Sequence, residues 1–423
     1  MNVTIHPGRL SGAVRVPASK SAAHRALIAA ALSDGLTTVH IDALNDDIEA
    51  TLDCLAALGA LIDYDERRGR LIVRPVDGAP GLKRHLQGLA GKASAHVDYA
   101  EPLDLDCGES GSTLRFLLPV ACALGADARF TGRGRLPERP NRALTEALRA
   151  HGAAIDADTL PMNVRGGLAG GLWALPGDVS SQYVTGLLFA LPLLREDSVI
   201  RLTTPLQSAG YVDMTLQTLA DFGIGVVPAE NGWRVPGNQA YRTPEDVFVE
   251  GDWSAAAFWL AANAMGSEVD VTGVSRRTAQ GDRAIEDLLG KAMIDASNVP
   301  DLVPALAAAA AVLPQRTVIT GAARLRLKES DRLRAVADML TALGGAVEVV
   351  PDGLVIDGGR PLTGGKVDGC NDHRIVMAAS ILATRADAPV TITGAQAVSK
   401  SYPDFFKHFQ ALGGSVDVQP AGR

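Results

Sequence analysis

The sequence predicts an α/β protein of two similar globular domains, each made of three repeated α/β units with buried helices. Three observations predict it. Six times a small polar cluster opens an Ala/Leu-rich apolar run of helical length. Each run leads into a short segment of β character carrying Thr or Val. A second, more amphipathic helix generally follows and most often ends in Gly. Self-similarity of this kind is read before any single motif. The spacing is irregular and the units are α/β, which excludes an open helical solenoid.

Taken in order, the openings are Ser19-Lys20-Ser21, Glu109-Ser110-Gly111-Ser112-Thr113, Ser180-Ser181-Gln182, Gly251-Asp252-Trp253-Ser254, Asn298-Val299-Pro300-Asp301 and Asn371-Asp372-His373-Arg374. The runs behind them include 26–32, 116–124, 187–194, 255–264, 302–313 and 375–383. A helix start has unpaired N–H groups and a partial positive charge. Several such starts pointing inward beside Lys or Arg make a pocket for anions. The β-like segments are 37–41, 128–131, 198–202, 268–272, 316–320 and 389–393. The second helices are expected over 47–58, 142–150, 214–221, 331–343 and 404–412, most closed by a Gly of C-cap type. Strands such as 346–350 and 415–418 follow them, and the fourth copy is degenerate around 284–289.

A chain of 423 residues is long for one core, which points to two domains. Polar, Pro-containing sequence at 242–246 precedes a restart of the pattern at Val249-Glu250-Gly251-Asp252. One domain is therefore read over 1–18 plus 249–423, containing both termini, with 19–248 inserted as the second. Hydrophobic content of 47% with 21% charged residues fits an ordinary globular enzyme. Net charge is −8, which disfavours nucleic acid or an anionic membrane as partner. Basic residues clustered beside Gly and Ser are the more informative for it. The four cysteines, Cys54, Cys107, Cys122 and Cys370, are scattered without C-x-x-C spacing, which argues against zinc and suits a reducing compartment. Met1 and the residues after it read as no signal peptide. The longest apolar stretch, 302–313, is too short for a bilayer and contains Pro304.

Several segments carry chemistry. Ser21 and Arg25 in Ser19-Lys20-Ser21-Ala22-Ala23-His24-Arg25 share a helix face. Cations at a helix start oppose the dipole unless an anion is held there. Gly108-Glu109-Ser110-Gly111-Ser112-Thr113-Leu114-Arg115 is a Gly/Ser turn into a helix, where glycine permits close approach of a ligand. Alone it reads as a capped helix. Gly132-Arg133-Gly134-Arg135-Leu136-Pro137-Glu138-Arg139-Pro140 puts three arginines in one loop, and guanidinium groups pair bidentately with phosphate or carboxylate. Ser180-Ser181-Gln182 offers hydroxyl, amide and N–H donors at one helix start. Lys328-Glu329-Ser330-Asp331-Arg332 mixes cations and carboxylates, with Lys328 and Arg332 read onto one helix face. A surface ion-pair ladder would be the ordinary explanation. Asn371-Asp372-His373-Arg374 starts an apolar helix that should be buried, and buried charges need partners. Asp301 precedes an almost wholly apolar helix, and Lys400 lies before Tyr402-Pro403-Asp404.

In this order, S-K-S-x-x-x-R, G-x-S-G-S-T-x-R, R-x-x-E-R-P, S-S-Q, K-E-S-D-R, N-D-H-R and K-S-Y-P-D resemble the 5-enolpyruvylshikimate-3-phosphate synthases over nearly the whole chain. The resemblance implies an inside-out α/β barrel in each domain, with the active site in an interdomain cleft. It implies transfer of the enolpyruvyl group of phosphoenolpyruvate to the 5-hydroxyl of shikimate 3-phosphate, with release of phosphate and no metal or organic cofactor. Carried over by position, Lys20 touches both substrates. Ser21, Arg25, Ser180, Ser181, Gln182, Ser208, Tyr211, Asp301 and Lys328 serve shikimate 3-phosphate. Gly111, Arg135, Gln182, Arg332, Arg374 and Lys400 serve phosphoenolpyruvate. Asp301, Glu329 and Lys20 are the catalytic candidates, with His373 close by. The resemblance further implies a cytoplasmic monomer that engages neither nucleic acid nor membrane.

The chain departs from the pattern at three places. Glu109 stands where many members have Asn, Arg324 stands where some have an Asn, and Ser208-Ala209-Gly210-Tyr211 lacks the frequent Lys/Arg-Pro. Two other readings compete. The related transferase acting on UDP-N-acetylglucosamine typically has Lys-Asn near its N-terminus and a loop cysteine. Here Ser21 follows Lys20 and the loop 132–140 has no Cys. A non-catalytic anion-binding scaffold would have no need of Asp301 and Glu329 among the cations.

Overall fold

The computed structural model describes residues 1–76 and 102–419. Among the described residues the helices fall into six pairs: α1 (Lys20–Leu32) with α2 (Asp46–Ala57), α3 (Gly111–Ala123) with α4 (Arg142–Ala150), α5 (Ser181–Ala190) with α6 (Ala209–Asp221), α7 (Trp253–Ala264) with α8 (Ile285–Leu288), α9 (Val303–Val312) with α10 (Arg332–Ala342), and α11 (His373–Ala383) with α12 (Phe405–Ala411). The first helix of each pair is buried nearly all round. In α9 every residue from Val303 to Ala311 is inside, because the segment is alanine with a few larger apolar residues. Small side chains let such helices pack closely, as α9 does on α11 and α7, and α3 on α5. The second helices bury one stripe. α2 hides Ile48, Thr51, Cys54 and Leu55, and α4 hides Leu144, Thr145 and Leu148, the spacing of an amphipathic helix.

One sheet topology recurs. In the copy holding α3, the strands lie in the order Leu103–Asp106, Asp127–Thr131, Met162–Arg165, Ala154–Ile155. The first two are parallel and flank the inner helix in sequence, and the remaining pairings are antiparallel. The copies around α5 and α9 repeat this order. In two others the missing strand comes from far along the chain: Asp246–Phe248 joins Thr37–His40, and Asn2–Ile5 sits between Val390–Thr393 and Val416–Gln419. The sixth is reduced to Ser11–Arg15 beside Glu268–Thr272, and its second helix is the single turn α8. That is the degenerate fourth copy expected from the sequence. Helices are inside and sheets outside, as in Gly171–Leu175, where Trp173 and Leu175 are buried between exposed neighbours. Each sheet stays open, and none closes into a barrel among the described residues.

The chain forms two compact units, Met1–Ser19 with Glu250–Arg423, and Lys20–Val249. Each crossing lies one residue beyond the position read from the sequence. The two strands at the junction meet: Ser19 N–H donates to the Glu250 carbonyl at 2.7 Å, and Asp252 N–H donates to that of Pro17 at 2.9 Å.

Two element boundaries differ from expectation. The run 187–194 is helical only to Ala190, and Leu191–Leu193 tighten into a 3-10 turn, because Pro192 supplies no N–H to continue the ladder. α6 begins at Ala209, five residues before the periodic pattern shows it. Its first turn holds Gly210 and starts from Ser208 in the left-handed region (φ 57°), a start that no apolar spacing marks.

Candidate active site

In the unit Lys20–Val249 the predicted residues gather at the starts of α1, α3 and α5. Lys20 opens α1, and its Nζ donates to Asp47 Oδ2 at 2.7 Å, both side chains being largely buried. Asp47 lies in the first turn of α2, where a carboxylate suits the helix dipole. Arg25 holds neutral acceptors. Its Nε donates to Thr215 Oγ1 (2.9 Å), and its Nη atoms donate to the Ser21 and Tyr211 carbonyls (2.6 and 2.7 Å). The guanidinium lies over the Phe116 ring. Burial without a carboxylate partner lowers its pKa to about 10. Ser21, Arg25 and Tyr211 are thus one local group, whereas Ser208 is the buried N-cap of α6.

The starts of α3 and α5 are tied side chain to side chain. Ser110 and Ser180 are their N-caps, accepting from Thr113 N–H and Gln182 N–H. Gln182 Nε2 donates to Ser112 Oγ at 2.9 Å, and Arg115 Nη1 donates to Gln182 Oε1 at 2.7 Å. Arg115 also holds Asn141 Oδ1 and the Pro140 carbonyl. Ser181 is buried in the first turn of α5, and Gly111 is the first residue of α3. Arg135 is more exposed, with Glu138 at 3.7 Å. Behind this surface runs a buried chain of hydrogen bonds: His24 Nδ1 to Thr51 Oγ1 (2.8 Å), Thr51 to Thr113 Oγ1 (2.6 Å), and Thr113 to Ser110 Oγ (2.8 Å). Burial, with Lys20 and Arg25 adding to it, lowers the His24 pKa well below the usual range and keeps the ring neutral.

In the other unit, Asp301 sits in the 3-10 turn Pro300–Leu302 that leads into α9. Its carboxylate faces three cations: Arg332 Nη1 and Arg374 Nη2 at 2.9 Å, and Lys328 Nζ at 3.8 Å. Burial pushes its pKa up, but Arg374, Lys328 and Arg332 together hold it well below the usual carboxylate range. Arg332 is the hub. It donates to Asp372 Oδ2 (2.9 Å), Asp301 Oδ1 (2.9 Å) and Glu329 Oε2 (2.6 Å). Its side chain is 1% exposed. Despite burial, the three acids around it raise its pKa. Asp372 N-caps α11 by accepting from Arg374 N–H, and it also takes the Ser330 hydroxyl (2.9 Å). Arg374 reaches Ser254 Oγ (3.3 Å) at the start of α7, and Lys400 Nζ donates to the Asn371 carbonyl (2.7 Å). Asp301, Lys328, Glu329, Arg332 and Arg374 are therefore linked by direct contacts, and Lys400 is tied to Asn371, just ahead of Arg374 in the chain. Lys328 does not share a helix face with Arg332. It is extended (ψ −160°), and α10 begins only at Arg332, so the i,i+4 relation has no helix to act through.

The two clusters differ in charge. Three cations here meet three carboxylates, the mixture of charge that the sequence shows at 328–332. In the other unit Lys20 meets one carboxylate, Asp47, while Arg25 and Arg115 donate to hydroxyl, amide and carbonyl oxygens. Sequence reading passed over Asp47, Thr51, Thr113, Arg115 and Asp372 as site members. For Arg115 and Asp372 the signal was present, since each stands at or near the opening of an apolar helix and cannot lie there unpaired.

The family model for EPSP synthase (3-phosphoshikimate 1-carboxyvinyltransferase) matches residues 5–297 and 290–409. The 3-phosphoshikimate 1-carboxyvinyltransferases of Clostridium kluyveri and Clostridium acetobutylicum are 38% and 39% identical to the chain, over 100% and 98% of it and 99% and 98% of their own lengths. The chain belongs to the EPSP synthase family. Among solved structures, EPSP synthase from Acinetobacter baumannii matches with a TM-score of 0.78 at 27% identity, covering 99% of this chain and 100% of that one. The enolpyruvyl transferase NikO from Streptomyces tendae shares the fold (TM-score 0.75, 18% identity, 100% and 99% covered). The stretch that matches the EPSP synthase family takes in both clusters, from Lys20 through Gln182 and from Asp301 through Lys400.

Proposed function

We propose that the chain transfers the enolpyruvyl group of phosphoenolpyruvate to the 5-hydroxyl of 3-phosphoshikimate and releases phosphate. The observation that carries this is the Asp301–Arg332–Glu329 contact set, a pair of carboxylates wired to three cations, in a chain that belongs to the EPSP synthase family along its length. The 5-hydroxyl oxygen bonds to C2 of the donor as its proton passes to a base, and C3 gains a proton. C3 then gives a proton back while the C2–phosphate bond breaks, so nothing is oxidised or reduced.

Ser21, Arg25, Ser180, Ser181, Gln182, Ser208 and Tyr211, with Lys328, hold shikimate 3-phosphate through N–H, hydroxyl and guanidinium donors. Gly111, Arg135, Arg332, Arg374 and Lys400 hold the donor's carboxylate and phosphate. Asp301 takes the hydroxyl proton, Glu329 handles the proton at C3, and Lys20, held by Asp47, stands at the leaving phosphate. Holding both substrates in line is worth ~7–11 kcal/mol of the barrier. We place the enzyme in the cytoplasm, which suits three buried, unpaired cysteines, Cys54, Cys107 and Cys122. No helix among the described residues is long and apolar enough to cross a membrane.

The test is phosphate release from phosphoenolpyruvate with 3-phosphoshikimate, compared with UDP-N-acetylglucosamine. Turnover is expected with the first acceptor alone. Asp301→Ala and Glu329→Ala are each expected to lower kcat by about 10²–10⁴-fold with cooperative melting retained. Near-normal turnover in either variant removes that residue's role, and turnover with the nucleotide sugar alone removes the reading.

A further inference from the structure

Two turns lead to the Asp301 cluster, and one side chain ties them together. The strands Met293–Asp295 and Arg316–Thr320 are parallel neighbours. Among the described residues their backbone pairing ends where Ala296 N–H donates to the Thr320 carbonyl at 2.8 Å. Beyond that point the two chains part. One runs through residues 296–300 to Asp301, and the other through the 3-10 turn Ala323–Leu327 to Lys328 and Glu329. Arg324 lies in the second turn, and its Nη2 donates to the carbonyl of Ser297 in the first.

Each turn is also held by itself. Asp295 Oδ1 accepts from Ser297 N–H (2.9 Å), and Val299 N–H donates to the Ala296 carbonyl (3.1 Å). The Asp352 carboxylate accepts from Gly321 and Ala323 N–H (2.8 and 3.2 Å). The turns press together at Gly321, which is left-handed (φ 69°). A methyl carbon there would overlap Asp295 Oδ1 and lie 2.7 Å from Ser297 N. The Arg324 side chain adds a bond between two turns that are already formed.

This bond matters because the two proposed proton carriers, Asp301 and Glu329, sit on different turns. Both carboxylates meet Arg332, and Asp301 also meets Lys328 and Arg374. Under the roles proposed above, substrate anions would draw on those same cations. The bond from Arg324 stands outside that exchange, because its acceptor is a peptide carbonyl fixed by its turn. Charge assistance makes such a bond roughly twice as strong as a neutral one. The departure at Arg324 has a use here, since an Asn side chain is shorter and does not span the same gap.

We propose that Arg324 is a positioning residue for the transfer, setting Asp301 against Lys328 and Glu329 by joining the turns that carry them. This rests on the proposed function for what the two carboxylates do. The test uses the full chain and the variants Arg324→Met, Arg324→Lys and Arg324→Asn.

Arg324→Met keeps an apolar stem and loses the donors. Its kcat is expected to fall about tenfold to a hundredfold, while KM for phosphoenolpyruvate and for 3-phosphoshikimate each stays within about threefold. Arg324→Lys retains a charged donor and should fall between this variant and the wild type. Arg324→Asn should match Arg324→Met, because its amide stops short of Ser297. Hydrogen exchange, read by mass spectrometry on a peptide spanning 296–302, should quicken on the order of tenfold in Arg324→Met, with exchange in α9 unchanged. A brace of the fold alone would lower the melting midpoint and leave kcat, measured well below that midpoint, where it was. A substrate ligand would raise KM for 3-phosphoshikimate by more than kcat falls. Either result overturns the proposal, as does unchanged exchange across 296–302 or an Arg324→Lys no better than Arg324→Met. Exchange does not depend on turnover, so an inactive wild type with this substrate pair would count against the proposed function, and unchanged exchange against the tie.

Discussion

Asp301 carries a tension between what its role needs and what surrounds it. A base should have a pKa near the working pH, yet Arg374, Lys328 and Arg332 hold this carboxyl far below that range even against burial. Under the roles proposed above, the substrates would resolve it, because their carboxylate and phosphate groups would compete for the same three cations; the pull of those cations on Asp301 would then weaken and the carboxylate would become more basic. The sign follows: the form needed is the ionised one, and its pKa rises on binding. The acid limb of kcat, which reports the complex, should therefore lie at higher pH than the acid limb of kcat/KM, which reports the free enzyme. Pre-steady-state and steady-state rates from pH 4 upward check this. An acid limb of kcat at lower pH, or its persistence in Asp301→Ala, would refute it. Much of this was legible from sequence, because Lys328, Glu329, Arg332 and Arg374 stand in motifs at helix starts. What sequence could not supply was the balance. Which cation meets a carboxylate, as Arg332 does, and which meets none, as Arg25 does, depends on residues tens of positions away.

At the level of elements, α3 and α5 show how two sequence irregularities answer each other. Pro119 lies inside α3 and leaves the Arg115 carbonyl without its usual N–H partner. Gly186 of α5 faces that carbonyl, and a side chain there would collide with it and come within 3.0 Å of Pro119 Cγ. Arg115 and Pro119 are one turn apart, as are Gln182 and Gly186. The close approach at Gly186 is thus what brings Arg115 Nη1 to Gln182 Oε1. Gly186→Ala should cost about 1–3 kcal/mol or more, because a buried methyl has no room and the backbone must move. It should also loosen the Arg115–Gln182 contact and raise KM for both substrates. A urea titration with unchanged slope and a lower midpoint, together with steady-state kinetics, measures the two effects. An unchanged midpoint would show that the helices separate freely. Sequence shows Pro119 and Gly186 as separate oddities in apolar runs, and only their juxtaposition gives them a purpose. The same limit explains α6, whose start at Ser208 depends on a left-handed residue and not on periodicity.

Over the whole molecule, the repeat was readable because five of the six copies kept the order of inner helix, strand, outer helix and glycine, the fourth being degenerate. Its closure was less so. Strands that complete two of the sheets, Asn2–Ile5 and Asp246–Phe248, lie far in sequence from their partners. Short strands of three or four residues leave no pattern that names a neighbour. That closure makes a strong claim about autonomy. Among the described residues, Lys20–Val249 supplies every strand of its three sheets, since Asp246–Phe248 returns to Thr37–His40. The remaining unit likewise needs nothing from the insertion, because Asn2–Ile5 and Ser11–Arg15 pair with strands after Glu250. The ends to be joined already meet, with Ser19 N–H bonded to the Glu250 carbonyl and Ala18 bridged antiparallel to Gly251. A two-residue Asn-Gly turn between Ser19 and Glu250 matches that hairpin geometry. We expect residues 20–249 expressed alone, and residues 1–19 joined by this turn to 250–423, each to melt cooperatively with the helix content of the full chain's corresponding part. Under the roles proposed above, neither should turn over substrate, because the residues assigned there are divided between the two pieces. Far-UV circular dichroism, thermal melts and phosphate release measure this. A piece that stays unfolded would mean that its three sheets do not suffice to bury its inner helices.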